Sequence, residues 1–315
     1  MPQVGNDAIV ARDGVRLPLR RWDAEGGQDS NKPRAVIVAL HGMSDYSNAF
    51  DLPGKVWAKL GITTLAYDQR GFGLSDKPGI WAGADAMGAD LNDAIAAARL
   101  RYPGVPVFAL GESMGGAVVL TALASAQAEA SADAPILRAD ASADAPILKA
   151  DGIILVAPAV WSRGDMPLTY RAALFLAAHL VPGMILSNNA AGRVVKIVPS
   201  DNIPMLIALG KDPLFQKKTR TDTLYGLVNL MDEARMAPQR ITKSPPILFL
   251  YGARDQIIPP APTEGVIAAL GSKTPKLPFE VKHYEQGYHM LLRDLEGELV
   301  DRDVAAWISG QKPSD

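Results

Sequence analysis

A mainly parallel α/β sheet, covered by helices on both faces and carrying a helical insertion, is the fold class this 315-residue sequence predicts. Three observations predict it. Short apolar runs rich in β-branched residues alternate with helical patterns from about residue 35 onward, and most of these runs end in glycine-containing turns. Two segments break the alternation: Ala159 to Ser244, where the chain is helical in flavour and has no clear strand, and a tandem repeat before it. Sheets of this kind bind ligands outside the carboxyl ends of their strands.

In chain order, "AIVARDGVRLPLRRW" reads as a hairpin around the Asp13-Gly14 turn. "RAVIVALHG" and "GITTLAYDQRGFGLSD" are buried strands running into Gly-rich loops, "GADLNDAIAAARLRY" is a helix, and "VPVFAL" is the next strand. "DGIILVAP", "PPILFLYG" and "PFEVKHYE" are three more strands, with "APTEGVIAALG" and "ELVDRDVAAWIS" as helices. The organisation is therefore a core of residues 1–158 and 245–315, interrupted by a helical cap at 159–244. One feature stands outside it: "ASADAPILRAD" at 130–140 is followed at once by "ASADAPILKAD" at 141–151. Two proline-broken copies cannot build a solenoid, so the duplication reads as a tolerated lengthening of a surface connection.

Composition narrows the chemistry. A formal net charge of -2 without a basic stripe argues against nucleic acid as partner, and the absence of cysteine excludes disulfides, thiolate catalysis and Cys-ligated zinc. Four histidines leave little for a metal site, and neither metal nor cofactor is expected. The N-terminal stretch lacks the apolar core of a signal peptide, and no run of about eighteen apolar residues would span a bilayer. The expected location is cytoplasmic or peripheral to a membrane; an export signal or lipid anchor preceding this sequence would leave no trace in it. Nothing in the sequence sets the oligomeric state.

"GESMGG" at 111–116 lies between the "VPVFAL" strand and the small-residue helix "AVVLTALA". A serine on so sharp a strand-to-helix turn has its hydroxyl projecting above the sheet edge, with the helix N-terminus aimed at any anion forming beside it. Ser113 is thus a candidate nucleophile. A serine hydroxyl needs a base, and the base needs an orienting group. For this turn the chain order is Ser, then Asp or Glu, then His. His41 precedes Ser113, His179 lies among apolar residues of the expected cap, and His283 belongs to a strand. His289, past a strand end behind Gly287, is the candidate base, and Asp255, in a short loop after "LFLY", the candidate acid. The separation of 34 positions from Asp255 to His289 holds one helix and one strand, so both loops end on the same rim. The oxyanion formed during acyl transfer needs two N–H donors, expected from Met114, directly after the nucleophile, and Met43 in "LHGMSD". His41 is then a structural hydrogen-bonding residue.

These motifs, with "YDQRGFGLSD", "KDPLF", "LYGARDQIIPP" and "YEQGYHMLLRDL", resemble the α/β-hydrolase superfamily, and within it the monoacylglycerol lipase and lysophospholipase-like branch, the serine aminopeptidase family. The resemblance runs over nearly the whole chain. It implies an eight-stranded, mainly parallel sheet with a helical cap, and Ser113, Asp255 and His289 as nucleophile, acid and base, with Met43 and Met114 as oxyanion donors. It also marks Asp45, Ala49 and Leu209 as the positions where monoglyceride-selective relatives carry Glu, Arg and Tyr near the glycerol head group, so the resemblance implies ester hydrolysis without fixing monoacylglycerol as the substrate. Dehalogenases and epoxide hydrolases of the superfamily place Asp at the position of Ser113. The implied activity is hydrolysis of a small acyl ester, such as an acylglycerol, a lysophospholipid or a simple ester, through an acyl-enzyme; thioester or carbon–carbon bond hydrolysis with the same triad is the alternative. A non-catalytic binding module would not need the three residues together. Within the cap, "LTYRAALFLAAHLVPGMIL" at 168–186 is interrupted by Arg171, His179, Pro182 and Gly183, which makes it a poor membrane span. It is expected either to pack on the core or to line an acyl tunnel through Leu176 and Leu180 while touching a lipid surface transiently.

Overall fold

The structure is a computed structural model that describes residues 1–25, 32–131, 148–187 and 197–311. Two short strands, β1 (Gln3–Val4) and β2 (Ala8–Val10), pair antiparallel, and β3 (Arg16–Trp22) pairs with β2 across the expected turn at Asp13-Gly14. The all-buried β4 (Ala35–Leu40) leads through α1 (Asp51–Lys59) into β5 (Ile62–Tyr67), α2 (Ala84–Arg101) and β6 (Val107–Glu112). After one intervening residue α3 (Met114–Ser131) begins, and β7 (Gly152–Val156) follows. The segment 159–244 contains α4 (Leu168–Leu180), β8 (Ile185–Ser187), α5 (Ile203–Lys211), β9 (Lys218–Arg220) and α6 (Thr221–Arg240). The chain closes with β10 (Ile247–Gly252), α7 (Pro260–Gly271), β11 (Phe279–Tyr284) and α8 (Gly297–Gly310).

The main sheet has nine strands in the order β1-β2-β3-β5-β4-β6-β7-β10-β11, parallel from β5 to β11. The expected count of eight is corrected by β1, whose two residues are too few to show any alternation in the sequence. A second correction concerns 159–244, where β8 and β9 form a separate antiparallel pair with Ile185 opposite Arg220. Three residues a side also escape periodicity arguments, since a strand pattern needs at least four.

Helices cover both faces. The apolar positions of α2, α3, α6 and α7 close one core, around Val36, Val38, Val107 and Ala109, while α1 and α8 close the other around Ile37, Phe108, Ile154 and Leu250. Residues 114–124 of α3 are all buried because the helix lies between the sheet, α2 and α6. Val228, Leu230, Ala234 and Ala237 of α6 are buried in that core, whereas no residue of α4 or α5 is fully buried. Within 159–244, α6 is thus part of the core, and α4 and α5 are not. No described helix is long and apolar enough to cross a membrane.

Most of the tandem repeat, residues 132–147, lies outside the described residues. Its last four residues do not behave as a free loop. Leu148 and Ala150 are buried in the core, and the Asp151 carboxylate accepts hydrogen bonds from Val107 N (2.7 Å) and Arg99 Nη2 (2.8 Å). Excising residues 130–140 keeps this anchored second copy and restores the same "AS" after Glu129. The shortened protein is expected to fold with unchanged secondary structure and full activity, because halving a loop changes closure entropy by only about 0.6 kcal/mol. Circular dichroism and an esterase assay check this, and a folded but inactive product would give the repeat a function.

Candidate active site

Register sets where the site lies. Leu40 is opposite Gly111 and Glu112 opposite Val156, and Gly252 is opposite Tyr284, so the loops after β4, β6, β10 and β11 leave the sheet on one edge. β5 and β6 flank β4 on opposite sides, which makes the β4/β6 gap the switch point where open α/β sheets bind their ligands.

Ser113 is the single residue between β6 and α3, and its φ of 54° is a left-handed conformation that a non-glycine residue adopts only when held there. Three backbone hydrogen bonds hold it: its N–H donates to Val156 O (2.9 Å), and its carbonyl accepts from Ala117 N (3.1 Å) and Ala159 N (2.9 Å). Gly111 and Gly115 make the turn possible. A Cβ at Gly111 would collide with the Gly115 backbone, and one at Gly115 with the Leu40 carbonyl.

The Ser113 Oγ lies 2.9 Å from His289 Nε2, and His289 Nδ1 lies 2.8 Å from Asp255 Oδ2. With Nδ1–H donated to the carboxylate, Nε2 is the lone pair that accepts the serine proton. The other carboxylate oxygen, Oδ1, accepts from Ile257 N (2.7 Å) and Ile258 N (3.0 Å), which fixes its direction. Asp255 and His289 are both buried. Their loops are tied by Ala253 N to Tyr284 O and Arg254 N to Gly287 O, each 2.9 Å.

The loop after β4 is fixed by His41. Its fully buried ring accepts from Gln69 N at Nε2 (3.0 Å) and donates from Nδ1 to Gly42 O (2.8 Å), while Gln69 Nε2 donates to His41 O (2.8 Å). Burial lowers the His41 pKa, keeping the ring neutral as this pattern requires. The loop then passes close to the elbow, since a Cβ at Gly42 would come 3.2 Å from that of Ser113. Among the described residues the Met43 and Met114 amides have no protein acceptor.

Ser113 and Met43 open into a cavity of about 720 Å³ lined by apolar side chains, among them Trp161, Leu174, Leu227 and Ile258. That volume is within the range that encloses a small-molecule ligand. Leu174 and Ala177 of α4 face it, with Tyr170 and Ala173. The expectation that Leu176 and Leu180 line the tunnel is corrected: they are 54% and 74% exposed and are not among its lining residues. At 3.6 residues per turn, positions 170, 173, 174 and 177 share one stripe, and 176 and 180 lie along one flank of it. Asp45 and Leu209 line a second cavity of about 400 Å³, together with Ala49, Asn202, Asp212 and Arg293. His283 is exposed on β11 with its ring edge-on to Tyr251, and His179 packs on Phe175 in α4 and bonds Phe175 O.

Two residues at the site escaped sequence reasoning. Arg293, four positions after His289, is buried and donates from Nη1 to Asp45 Oδ2 (2.7 Å) and from Nη2 to Glu112 Oε2 (3.1 Å). Burial lowers the guanidinium pKa, but Asp45 and Glu112 outweigh it and the net shift is upward; burial pushes the Glu112 carboxyl up against the opposing pull of Arg293. The only sequence signal was a charge directly after each of two apolar runs, "FALGE" and "MLLR".

A nine-stranded α/β sheet with a serine on a strained elbow, hydrogen-bonded to a His and through it to an Asp, is the architecture of an α/β-hydrolase. The chain belongs to the family described as serine aminopeptidase, S33, whose model matches residues 31–296. It is 26% identical over 306 residues to the monoglyceride lipase of Rattus norvegicus, covering 96% of this chain and 89% of that protein. It is 25% identical over 300 residues to the monoacylglycerol lipase of Mycolicibacterium smegmatis, covering 94% and 93%. Among solved structures, a soluble variant of monoglyceride lipase from Saccharomyces cerevisiae, in complex with a substrate analog, superposes with a TM-score of 0.72 at 18% identity, over 100% of this chain and 96% of that one.

Proposed function

We propose that the protein is a carboxylic ester hydrolase that cleaves acyl esters of lipid-like alcohols through an acyl-enzyme on Ser113. The observation that carries this is the Ser113 hydroxyl, within hydrogen-bond reach of His289 and opening into an apolar cavity. The names of the monoglyceride and monoacylglycerol lipase relatives support the same reaction class.

His289 takes the proton of Ser113 as the hydroxyl attacks the ester carbonyl, and Asp255 holds the imidazole in the right tautomer and stabilises the imidazolium. The tetrahedral oxyanion is held by the Met43 and Met114 amides, with the N-terminus of α3 adding its positive end. His289 then donates its proton to the leaving alkoxide, and a water activated by the same ring releases the acid. The acyl chain lies in the apolar cavity, and segment 159–244 acts as its cap. Leu168, Leu176 and Leu180 of α4 and Ile203 and Ile207 of α5 are exposed apolar side chains, suited to transient contact with a lipid surface from which substrate is drawn.

A series of p-nitrophenyl esters from acetate to palmitate tests the proposal. kcat/KM is expected to rise with chain length, because each buried methylene adds about 0.8 kcal/mol until the cavity is full. Leu174→Asn should then cut turnover of dodecanoate about tenfold or more while leaving acetate within about threefold, and Leu176→Asn and Leu180→Asn should show no such length dependence with soluble esters. A uniform loss across the series in Leu174→Asn would remove the acyl-tunnel assignment. Faster turnover of acyl-CoA or vinylogous diketones than of any oxygen ester would replace ester hydrolysis with thioester or carbon–carbon cleavage.

A further inference from the structure

Four segments carry the residues to which the proposed hydrolysis assigns roles, and one guanidinium residue joins three of them: the loop after β4, the end of β6 and the turn that carries His289. Asp45 follows Met43 by two positions, Glu112 immediately precedes Ser113, and Arg293 follows His289 by four. The Nη1 bond to Asp45 and the Nη2 bond to Glu112 spread the fork of Arg293 across the oxyanion loop and the end of β6. The backbone of Arg293 holds the third member, its N–H donating to Met290 O (2.8 Å) in the turn that carries His289. All three side chains are at most 7% exposed.

The same residue ties in the cap. Asn202, at the N-terminus of α5, accepts from Met205 N through Oδ1 (3.2 Å) and donates from Nδ2 to Arg293 O (2.9 Å). Met290 N bonds Pro199 O (2.9 Å), and Gln216 N bonds Ser44 O (2.8 Å) in the oxyanion loop.

We propose that Arg293 is a positioning residue for the ester hydrolysis described above: by clamping Asp45 and Glu112 it sets the spacing between the Met43 amide, the Ser113 hydroxyl and the His289 ring. A planar fork with two donors suits this role, because it fixes both carboxylates in direction as well as distance, which an ammonium cannot do. Arg293 touches none of the reacting atoms. Its effect is on geometry, where displacements of about 1 Å cost large factors in rate.

The test compares Arg293→Met, Arg293→Lys, Asp45→Asn and Glu112→Gln with the wild type, using p-nitrophenyl butyrate, the rate of Ser113 phosphonylation by a fluorophosphonate, and thermal melting. Arg293→Met is expected to lower kcat about 30-fold or more with KM changed less than about threefold, and to slow phosphonylation in step. Arg293→Lys should recover much of the melting temperature while kcat stays about tenfold low, since charge is restored and the fork is not. If Arg293→Met does not fold, Asp45→Asn and Glu112→Gln decide, each expected to lower kcat about fivefold or more at nearly constant KM. Lower melting temperatures with kcat within twofold of wild type in every folded variant would overturn the proposal and leave a purely structural ion cluster. Wild-type protein that the fluorophosphonate does not label at Ser113 would overturn serine-dependent hydrolysis itself, and with it any positioning role for Arg293.

Discussion

Ser113→Ala is expected to lower kcat/KM for any ester by about 10⁴-fold or more and to abolish fluorophosphonate labelling, with the fold intact. Only a hydroxyl is removed. The backbone bonds to Val156, Ala117 and Ala159 do not involve it, and alanine tolerates the φ of 54° no worse than serine does. The melting temperature should therefore change little. The residual rate would come from the oxyanion amides and the binding cavity, which the substitution leaves in place. Labelling that persists in the folded variant, located by mass spectrometry at another residue, would refute Ser113 as nucleophile.

Replacing His289 with alanine should cost a comparable factor, about 10⁴ or more in kcat, and Asp255→Asn about 10³–10⁴, since the amide can impose the wrong tautomer on the ring. The effects are not additive: Ser113→Ala combined with His289→Ala should be no slower than the worse single variant, because a base without its nucleophile has nothing to do. His283→Ala is the control. His283 is exposed, six positions earlier, and its described ring contact is with Tyr251 rather than with Ser113 or Asp255. It should retain activity within about twofold and lose at most about 1 kcal/mol of stability. Equal losses of kcat in folded His289→Ala and His283→Ala would reverse the assignment of the base.

The cap shows how far periodicity reaches. "LTYRAALFLAAHL" is apolar on almost every side, so a helix was legible but its inward stripe was not. If α4 lined a tunnel, Leu176 and Leu180 were the residues expected to do so, whereas Leu174 and Ala177 line the cavity, because the choice depends on how α4 lies on α6. The strands β1, β8 and β9 were missed for a different reason. Two or three residues carry no usable alternation, and their pairing is fixed by what they meet: β2 in the first case and each other in the second.

By itself the sequence determined the alternating α/β core, the elbow around Ser113 and the identity of the groups around it. Each of these is written locally: a strand followed by Gly-x-Ser-x-Gly and a small-residue helix imposes a turn that few other sequences can make, and the Asp and His fall at strand ends in the required order. The tertiary structure alone decided what surrounds them. Arg293 meets Glu112 and Asp45 across sequence separations of 181 and 248 residues, and Asp45 and Leu209 share a cavity apart from the one Ser113 opens into. Such contacts are set by the order and register of strands brought side by side, and no local pattern of hydrophobic and charged residues specifies which distant loop will arrive opposite another.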